Sequence, residues 1–192
     1  MALSGLLSVI FFTVVLGLGY GLAFTGVAQL LFPGKANGSK ISVNGKVVGS
    51  SLIAQELEGR AYFQPRPSQT GYSPSTTYFS NRGPNSVEAR EEDRERIAEY
   101  LRLNKPFDQS LTAEAVPVDA ITTSGSGVDP EISEANALIQ AHRVAAVRRL
   151  SLARVEELVS DHTNGRFLGV FGEPGVNVLQ LDIALDEEAP PK

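Results

Sequence analysis

Residues 3–32 read LSGLLSVIFFTVVLGLGYGLAFTGVAQLLF, and residues 1–34 together contain no Asp, Glu, Lys, Arg or His. As a helix, such a stretch rises roughly 45 Å at about 1.5 Å per residue, enough to cross a hydrocarbon core of about 30 Å with tilt. Residues 1–34 are therefore expected to form a single transmembrane anchor, leaving residues 35–186 as one extramembrane domain and residues 187–192 as a polar tail. The rival reading is a secretory signal cut among the small residues of Leu22-Ala23-Phe24-Thr25-Gly26-Val27-Ala28. A signal peptide has a basic leading segment and an apolar core of about 7–15 residues. Here no Lys or Arg precedes the core, which is about twice that length.

Within the span, Gly17 and Gly21 stand four apart, with Ala28 further along nearly the same face. Small residues at that spacing let a second helix approach backbone to backbone, so Gly17 and Gly21 are expected to contact a partner's helix. Glycine is also simply common in membrane helices, which is the plainer explanation.

Outside the span the charge is mixed and mildly acidic, with 22 acidic and 17 basic residues and a net charge of −5. No broad basic face is available for nucleic acid. Cysteine is absent, which removes disulfides and thiolate metal sites. Lys35, Lys40 and Lys46 follow the span closely, and by the positive-inside rule they would keep the body in the cytoplasm.

After the span, Ile41 and Val43, an Asn44-Gly45 turn, then Val47 and Val48 predict a β-hairpin. Ser50 or Ser51 is expected to cap a short helix through Leu52, Ile53 and Leu57. Residues 61–86 are rich in Ser, Thr, Pro and Gly, which reads as loop. Yet Tyr62, Phe63, Tyr72, Tyr78 and Phe79 argue for ordering and for a partner-docking role that includes Arg66.

A helix follows over residues 86–103, where Glu88, Glu91, Glu92, Asp93, Glu95 and Glu99 alternate with Arg90, Arg94 and Arg96. The interleaved arginines make this a solvated face rather than a cation site. Residues 116–121 read as a strand entering Thr122-Thr123-Ser124-Gly125-Ser126-Gly127-Val128-Asp129-Pro130. Strand, glycine loop and helix start is a phosphate-binding order. The P-loop ending is missing, however, and Asp129 as cap with Pro130 at the first helical position is ordinary helix initiation.

The next helix, over residues 131–150, is expected to bury Ala135, Leu138, Ile139, His142, Ala145 and Ala146, with Arg143, Arg148 and Arg149 off that stripe. Ser151 caps a further helix that buries Leu152, Val155, Leu158 and Val159 and stops at Asn164-Gly165, with His162 in its last turn. Residues 172–175 make a turn. Residues 176–186 alternate as a long strand whose Asn177, Leu179, Leu181, Ile183 and Leu185 face the core. The fold class is α+β, with this strand in a sheet packed on the helices that begin near Asp129 and Ser151.

Four motifs in order carry a resemblance: Tyr62-Phe63-Gln64-Pro65-Arg66-Pro67-Ser68, residues 124–133 (SGSGVDPEIS), residues 140–148 (QAHRVAAVR) and residues 175–186 (GVNVLQLDIALD). Together they closely resemble the C-subunit family of the bacterial Kdp potassium-transporting ATPase, over nearly the whole chain. Two departures stand out: no basic residue precedes the span, and Asp182 stands where the family often has Asn.

The resemblance implies a single-span accessory subunit in the cell membrane, without metal and without catalysis of its own. Its implied partners are an ion-conducting potassium-binding subunit and an ATP-hydrolysing P-type subunit, both separate chains, besides membrane lipid. It further implies either a catalytic chaperone that raises ATP affinity, with ATP contacted through Gln140, or an extracytoplasmic body over the potassium entrance; a body outside cannot touch cytoplasmic ATP. Long domains translocate largely regardless of charge, so the outside placement is preferred over the lysine bias. Two other classes are an anchored hydrolase, using Ser124 or Ser126 with His142, and a free-standing ligand-binding module.

Overall fold

The computed structural model describes residues 2–57, 59–76, 78, 80–83 and 85–190, in two compact units, Met1–Ser50 and Ser51–Lys192. Phe79, expected to help order the 61–86 loop, lies outside the described residues, as do the last two residues of the tail.

The first unit is helical from Ala2 to Leu31: α1 (Ala2–Phe12), a wider π-helical stretch (Thr13–Tyr20) and α2 (Gly21–Leu31). Hydroxyls in the helix bond back to their own turn, Ser8 Oγ to Ser4 O at 2.9 Å and Thr25 Oγ1 to Gly21 O at 2.8 Å. Phe32, at φ −136°, ends the helix, and Pro33 opens the single turn α3 (Pro33–Ala36). Strands β1 (Lys40–Val43) and β2 (Lys46–Ser50) then pair antiparallel. Asn44 and Gly45 both take positive φ, 51° and 79°, as the two-residue hairpin turn requires.

The second unit begins irregularly. Leu52 and Ile53 lie in a turn rather than the expected short helix, and the Ala54 N–H bonds to Val128 O at 2.9 Å. Helix α4 (Val87–Asn104) starts at Ser86, whose Oγ accepts from Ala89 N, and buries only Tyr100 and Asn104. Residues 116–121 are not a strand: Pro117 flanks a helical turn, α5 (Val118–Ile121). That turn aims Asp119 at Ser133, and the carboxylate accepts from Ser133 N and Oγ, both at 2.8 Å.

Asp129 and Pro130 do not start a helix either. Asp129 Oδ1 takes the Glu131 N–H in a local turn, Pro130 O receives Val178 N, and β3 (Glu131–Ile132) pairs with Val176 and Asn177. The real cap is Ser133, which opens α6 (Glu134–Arg148). Helix α7 (Leu152–Asp161) starts at Ser151 as expected but ends at His162, so that β4 (Thr163–Asn164) can join the sheet. Strands β3, β5 (Gly175–Asn177) and β4 form a small antiparallel sheet with β5 central.

The long final strand is the main correction. Only residues 175–177 are extended; Asn177 then caps α8 (Val178–Glu188), its side chain accepting from Gln180 N. A helix with Leu181 and Leu185 one turn apart buries the same leucines a strand would, so alternation alone could not separate the two. The class remains mixed helix and sheet. Its core joins α6, α7, α8 and the sheet through Ala137, Ala141, Val144, Val155, Leu158, Val176, Leu181 and Leu185.

Candidate functional site

Loop residues 60–66 cross this core with no strand beside them, yet Phe63 is fully buried among the core residues. Buried backbone groups need partners, and here, without a β-ladder, side chains supply them. They come from one face of α6 and from α8.

Gln140 provides the central contact. Its Oε1 accepts from Gln64 N at 2.8 Å and its Nε2 donates to Gln64 O at 3.1 Å, as a neighbouring strand would. The same amide donates to Asn136 Oδ1 at 3.0 Å and accepts from Arg143 Nη2 at 2.8 Å. At 1 % exposure, Gln140 has no hydrogen-bonding capacity left for a nucleotide as folded. The side chain that the resemblance assigns to ATP contact is thus engaged with the chain's own loop.

Arg143 lies beside it, with no exposed surface. Its Nη1 donates to Arg60 O at 2.5 Å and Tyr62 O at 2.8 Å, and its Nε to Asn104 Oδ1 at 2.9 Å. Burial lowers the guanidinium pKa to about 10, with the Asp182 charge pulling it back up, so it stays a cation at neutral pH. Asn136 completes the row, taking the Tyr100 hydroxyl at 2.9 Å and donating to Asp119 at 3.0 Å. Burial pushes the Tyr100 phenol far up, keeping it a neutral donor.

Arg148 and two carboxylates of α8 hold the other side. Arg148 donates to Ala61 O at 2.7 Å and Ala189 O at 2.8 Å, lies 4.9 Å from the Tyr62 ring centroid, and pairs with Asp186 at 2.8 Å. Asp182, almost wholly buried, accepts the Phe63 N–H at 2.9 Å through Oδ1, while among the described residues Oδ2 has no hydrogen-bond partner. Burial raises its carboxyl well above the usual range; the Phe63 N–H and the charges of Arg148 and Arg143 oppose the shift and Asp186 adds to it.

The expected docking residues therefore separate. Phe63 fills the core, and Tyr62 is half-buried with its hydroxyl on Asp186 at 3.3 Å. Arg66, also half-buried, pairs with Asp129 at 3.2 Å and reaches Thr122 Oγ1 at 3.4 Å; Tyr72 donates to Arg66 O at 3.0 Å. In the other unit, a Cβ added at Gly21 would meet nothing within 4 Å, and one at Gly17 only Thr13 Cγ2 at 3.9 Å. The glycine face is open.

The glycine loop of residues 122–130 is laced to the same segment. Ser68 Oγ donates to Gly127 O at 2.6 Å, and a Cβ at Gly127 would sit 2.8 Å from Thr70 Oγ1. A strand follows it, so the helix end that a phosphate loop needs is absent there. Ser124 is buried, and among the described residues neither Ser124 nor Ser126 is hydrogen-bonded to His142. Among the described residues no three His, Asp or Glu side chains group as metal ligands.

Sequence reasoning missed Asn104, Asn136, Arg143, Arg148 and Asp182 as buried groups. The buried face of α6 runs through Asn136, Ala137, Gln140, Ala141, Arg143, Val144, Ala145 and Arg148, whereas Leu138 of the expected stripe is 37 % exposed. A signal existed in the i, i+4, i+7 spacing of Asn136, Gln140 and Arg143, which places three amide or guanidinium groups along one side of a helix.

Comparison with known proteins closes the question of kinship. The family model described as KdpC, the c chain of a K+-transporting ATPase, matches residues 2–187. The chain belongs to the KdpC family. It is 45 % identical over 186 residues to the potassium-transporting ATPase KdpC subunit of Mycobacterium tuberculosis, covering 96 % of both chains. It is 47 % identical over 180 residues to that of Rhodospirillum rubrum, covering 93 % of this chain and 91 % of the other. The Streptomyces coelicolor KdpC subunit is 45 % identical over 208 residues, with 98 % of this chain and 92 % of the other covered. KdpC membership makes the chain a subunit of a potassium-transporting ATPase, and the apolar helix Ala2–Leu31 suggests a membrane location.

Proposed function

We propose that this KdpC chain is a non-catalytic accessory subunit that assembles with the ion-conducting and ATP-hydrolysing chains of a potassium import ATPase. Its body lies outside the cytoplasm in this reading. The observation that supports it most is the direction of the polar side chains. Gln140, Arg143, Arg148 and Asp182 turn inward onto the backbone of residues 60–64, which makes them a clamp on a loop rather than a reaction centre. The open Gly17 and Gly21 face supplies the helix contact, and the surface carried by the clamped loop, with Tyr62 and Arg66, supplies contact for the body.

Gln140 influences ATP only indirectly in this reading, by keeping the loop in place. The experiment is co-purification of the tagged chain with the larger subunits, followed by ATP and potassium dependence of hydrolysis in complexes with and without it. The chain is expected to bring the other subunits with it, and its loss to lower potassium-stimulated turnover while the ATPase subunit still binds nucleotide. A chain that purifies alone, or that hydrolyses generic esters in a manner lost in Ser126→Ala, would overturn the proposal. Protease protection in oriented vesicles tests the side of the membrane.

A further inference from the structure

Between β4 and β5 the chain makes an excursion, residues 165–174, that no part of the clamp uses. Its tip reads Phe167-Leu168-Gly169-Val170-Phe171, and the four large side chains are 71, 75, 67 and 63 % exposed. Among the described residues of this unit, the other large apolar side chains more than half exposed, Leu52, Tyr78, Val87 and Val118, are far apart in sequence. We propose that this tip is an anchor that seats in an apolar pocket on an extramembrane surface of a larger protein subunit of the same ATPase. The inference rests on the accessory-subunit reading and adds a second docking surface of the body, apart from Tyr62 and Arg66.

The tip is a shaped projection. Phe167 N donates to Phe171 O at 2.8 Å and Phe171 N to Phe167 O at 3.0 Å, while Gly169 N and Val170 N bond within the turn. These bonds satisfy the N–H groups of Phe167, Gly169, Val170 and Phe171 within the turn, so most of the tip's donors need no water. Leu168 sits at φ +52°, a conformation uncommon for a non-glycine residue, with Gly169 at +77° beside it. Arg166 pairs with Glu173 at 2.8 Å across the base, which leaves the collar electrically neutral.

These features choose between occupants. A fluid bilayer rewards apolar area whatever its shape, and membrane-binding surfaces add Lys, Arg or Trp at the headgroup level. Here the turn is closed by its own hydrogen bonds, and Arg166, the Arg of residues 165–174, is paired. A preformed pocket is the environment that rewards such pre-organisation. The tip offers roughly 500 Å² of apolar side chain, within the size range of functional patches. A free-standing interface needs about 800 Å² on each side, which the tip alone does not reach. It therefore acts as a hot spot within a larger contact, aided by the high effective concentration that co-membership of one complex supplies.

The test uses the full chain co-expressed with the other subunits of its ATPase. With the photo-reactive residue benzoylphenylalanine at position 168, illumination of native membranes is expected to join the chain to a larger protein subunit. A lipid adduct alone, a dimer of this chain alone, or no adduct overturns the proposal. In parallel, Leu168→Asp, which suits the positive φ, is expected to leave the thermal midpoint in place and cut co-purified partner about tenfold. Should Leu168→Asp fail to fold, the adduct decides. Partners retained in full by folded Leu168→Asp, without a protein adduct, overturn the tip and leave the accessory reading intact. Absence of partners from the unsubstituted chain overturns both.

Discussion

Gln140→Ala separates a loop clamp from a nucleotide contact, because the two roles predict different losses. The substitution removes the acceptor for Gln64 N, the donor to Gln64 O, and the acceptor for Arg143 Nη2. Asn136 Oδ1 keeps the Tyr100 hydroxyl at 2.9 Å, so its loss is small. A buried amide left without a partner costs about 1–3 kcal/mol, and a lost bond to a charged donor about 1.5–3 kcal/mol. With partial compensation inside the network, roughly 3–5 kcal/mol is expected, a large fraction of the 5–15 kcal/mol typical of a domain. The assay is denaturant unfolding of the full chain in detergent, with amide exchange read at Phe63 and Gln64. The midpoint should fall steeply, and both amides should exchange faster than those of α7. Gln140→Glu should lie between, because a carboxylate still accepts from Gln64 N and Arg143 but donates to neither Gln64 O nor Asn136. A Gln140→Ala loss below about 1 kcal/mol, together with a selective rise in the ATP needed for half-maximal hydrolysis, would refute the clamp and restore direct nucleotide contact.

Asp182→Asn should match or exceed the parent in stability at neutral pH, since an amide still accepts from Phe63 N and carries no buried charge. The folded carboxyl titrates well above its unfolded range, so its contribution is fully present below the unfolded pKa of about 3.8 and declines as pH rises toward the folded value. Unfolding midpoints across pH should show the variant gaining on the parent as pH rises; a gain on acidification instead would reverse the assignment. Ser133→Ala removes both the cap on Asn136 N and the hydroxyl bond to Asp119, and should cost about 1–2 kcal/mol in the same unfolding assay. A Cβ added at Gly21 meets nothing within 4 Å outside its own turn of helix, so Gly21→Leu is expected to lose co-purifying subunits through a clash with a partner's helix, with body unfolding unchanged. Retained co-purification would exclude that face.

Local chemistry was legible in the sequence, and long-range polar burial was not. Asn44-Gly45, Ser86 and Ser151 each act through bonds within a few residues, and the structure places a hairpin turn and two helix caps there. The 176–186 segment was misread because strand and helix periods coincide on Leu181 and Leu185. Asn177 decided between them by capping, and so turned Asp182 from an expected outward position to a buried one. Asp129 looked like a cap for the same local reason that Ser133 is one. What selected Ser133 was the pairing of residues 131–132 with β5, a contact over forty residues away in sequence.

The arginines of α6 were expected at the surface because charge ordinarily stays in water. Arg143 and Arg148 are buried because residues 60–64 enter the core without a neighbouring strand, and their carbonyl oxygens require donors there. A planar guanidinium has five N–H groups and can serve several carbonyls from one side chain, which no apolar residue of similar volume can do. Replacing either arginine with Met would keep much of the packing and orphan the carbonyls, so the cost falls on the loop before it falls on the helix. In this way α6 and α8 set the path of the loop, and through it the position of Tyr62 and Arg66 at the surface. The proposed docking depends on such fixed surface geometry, and here that geometry is held by polar groups with almost no exposure to solvent.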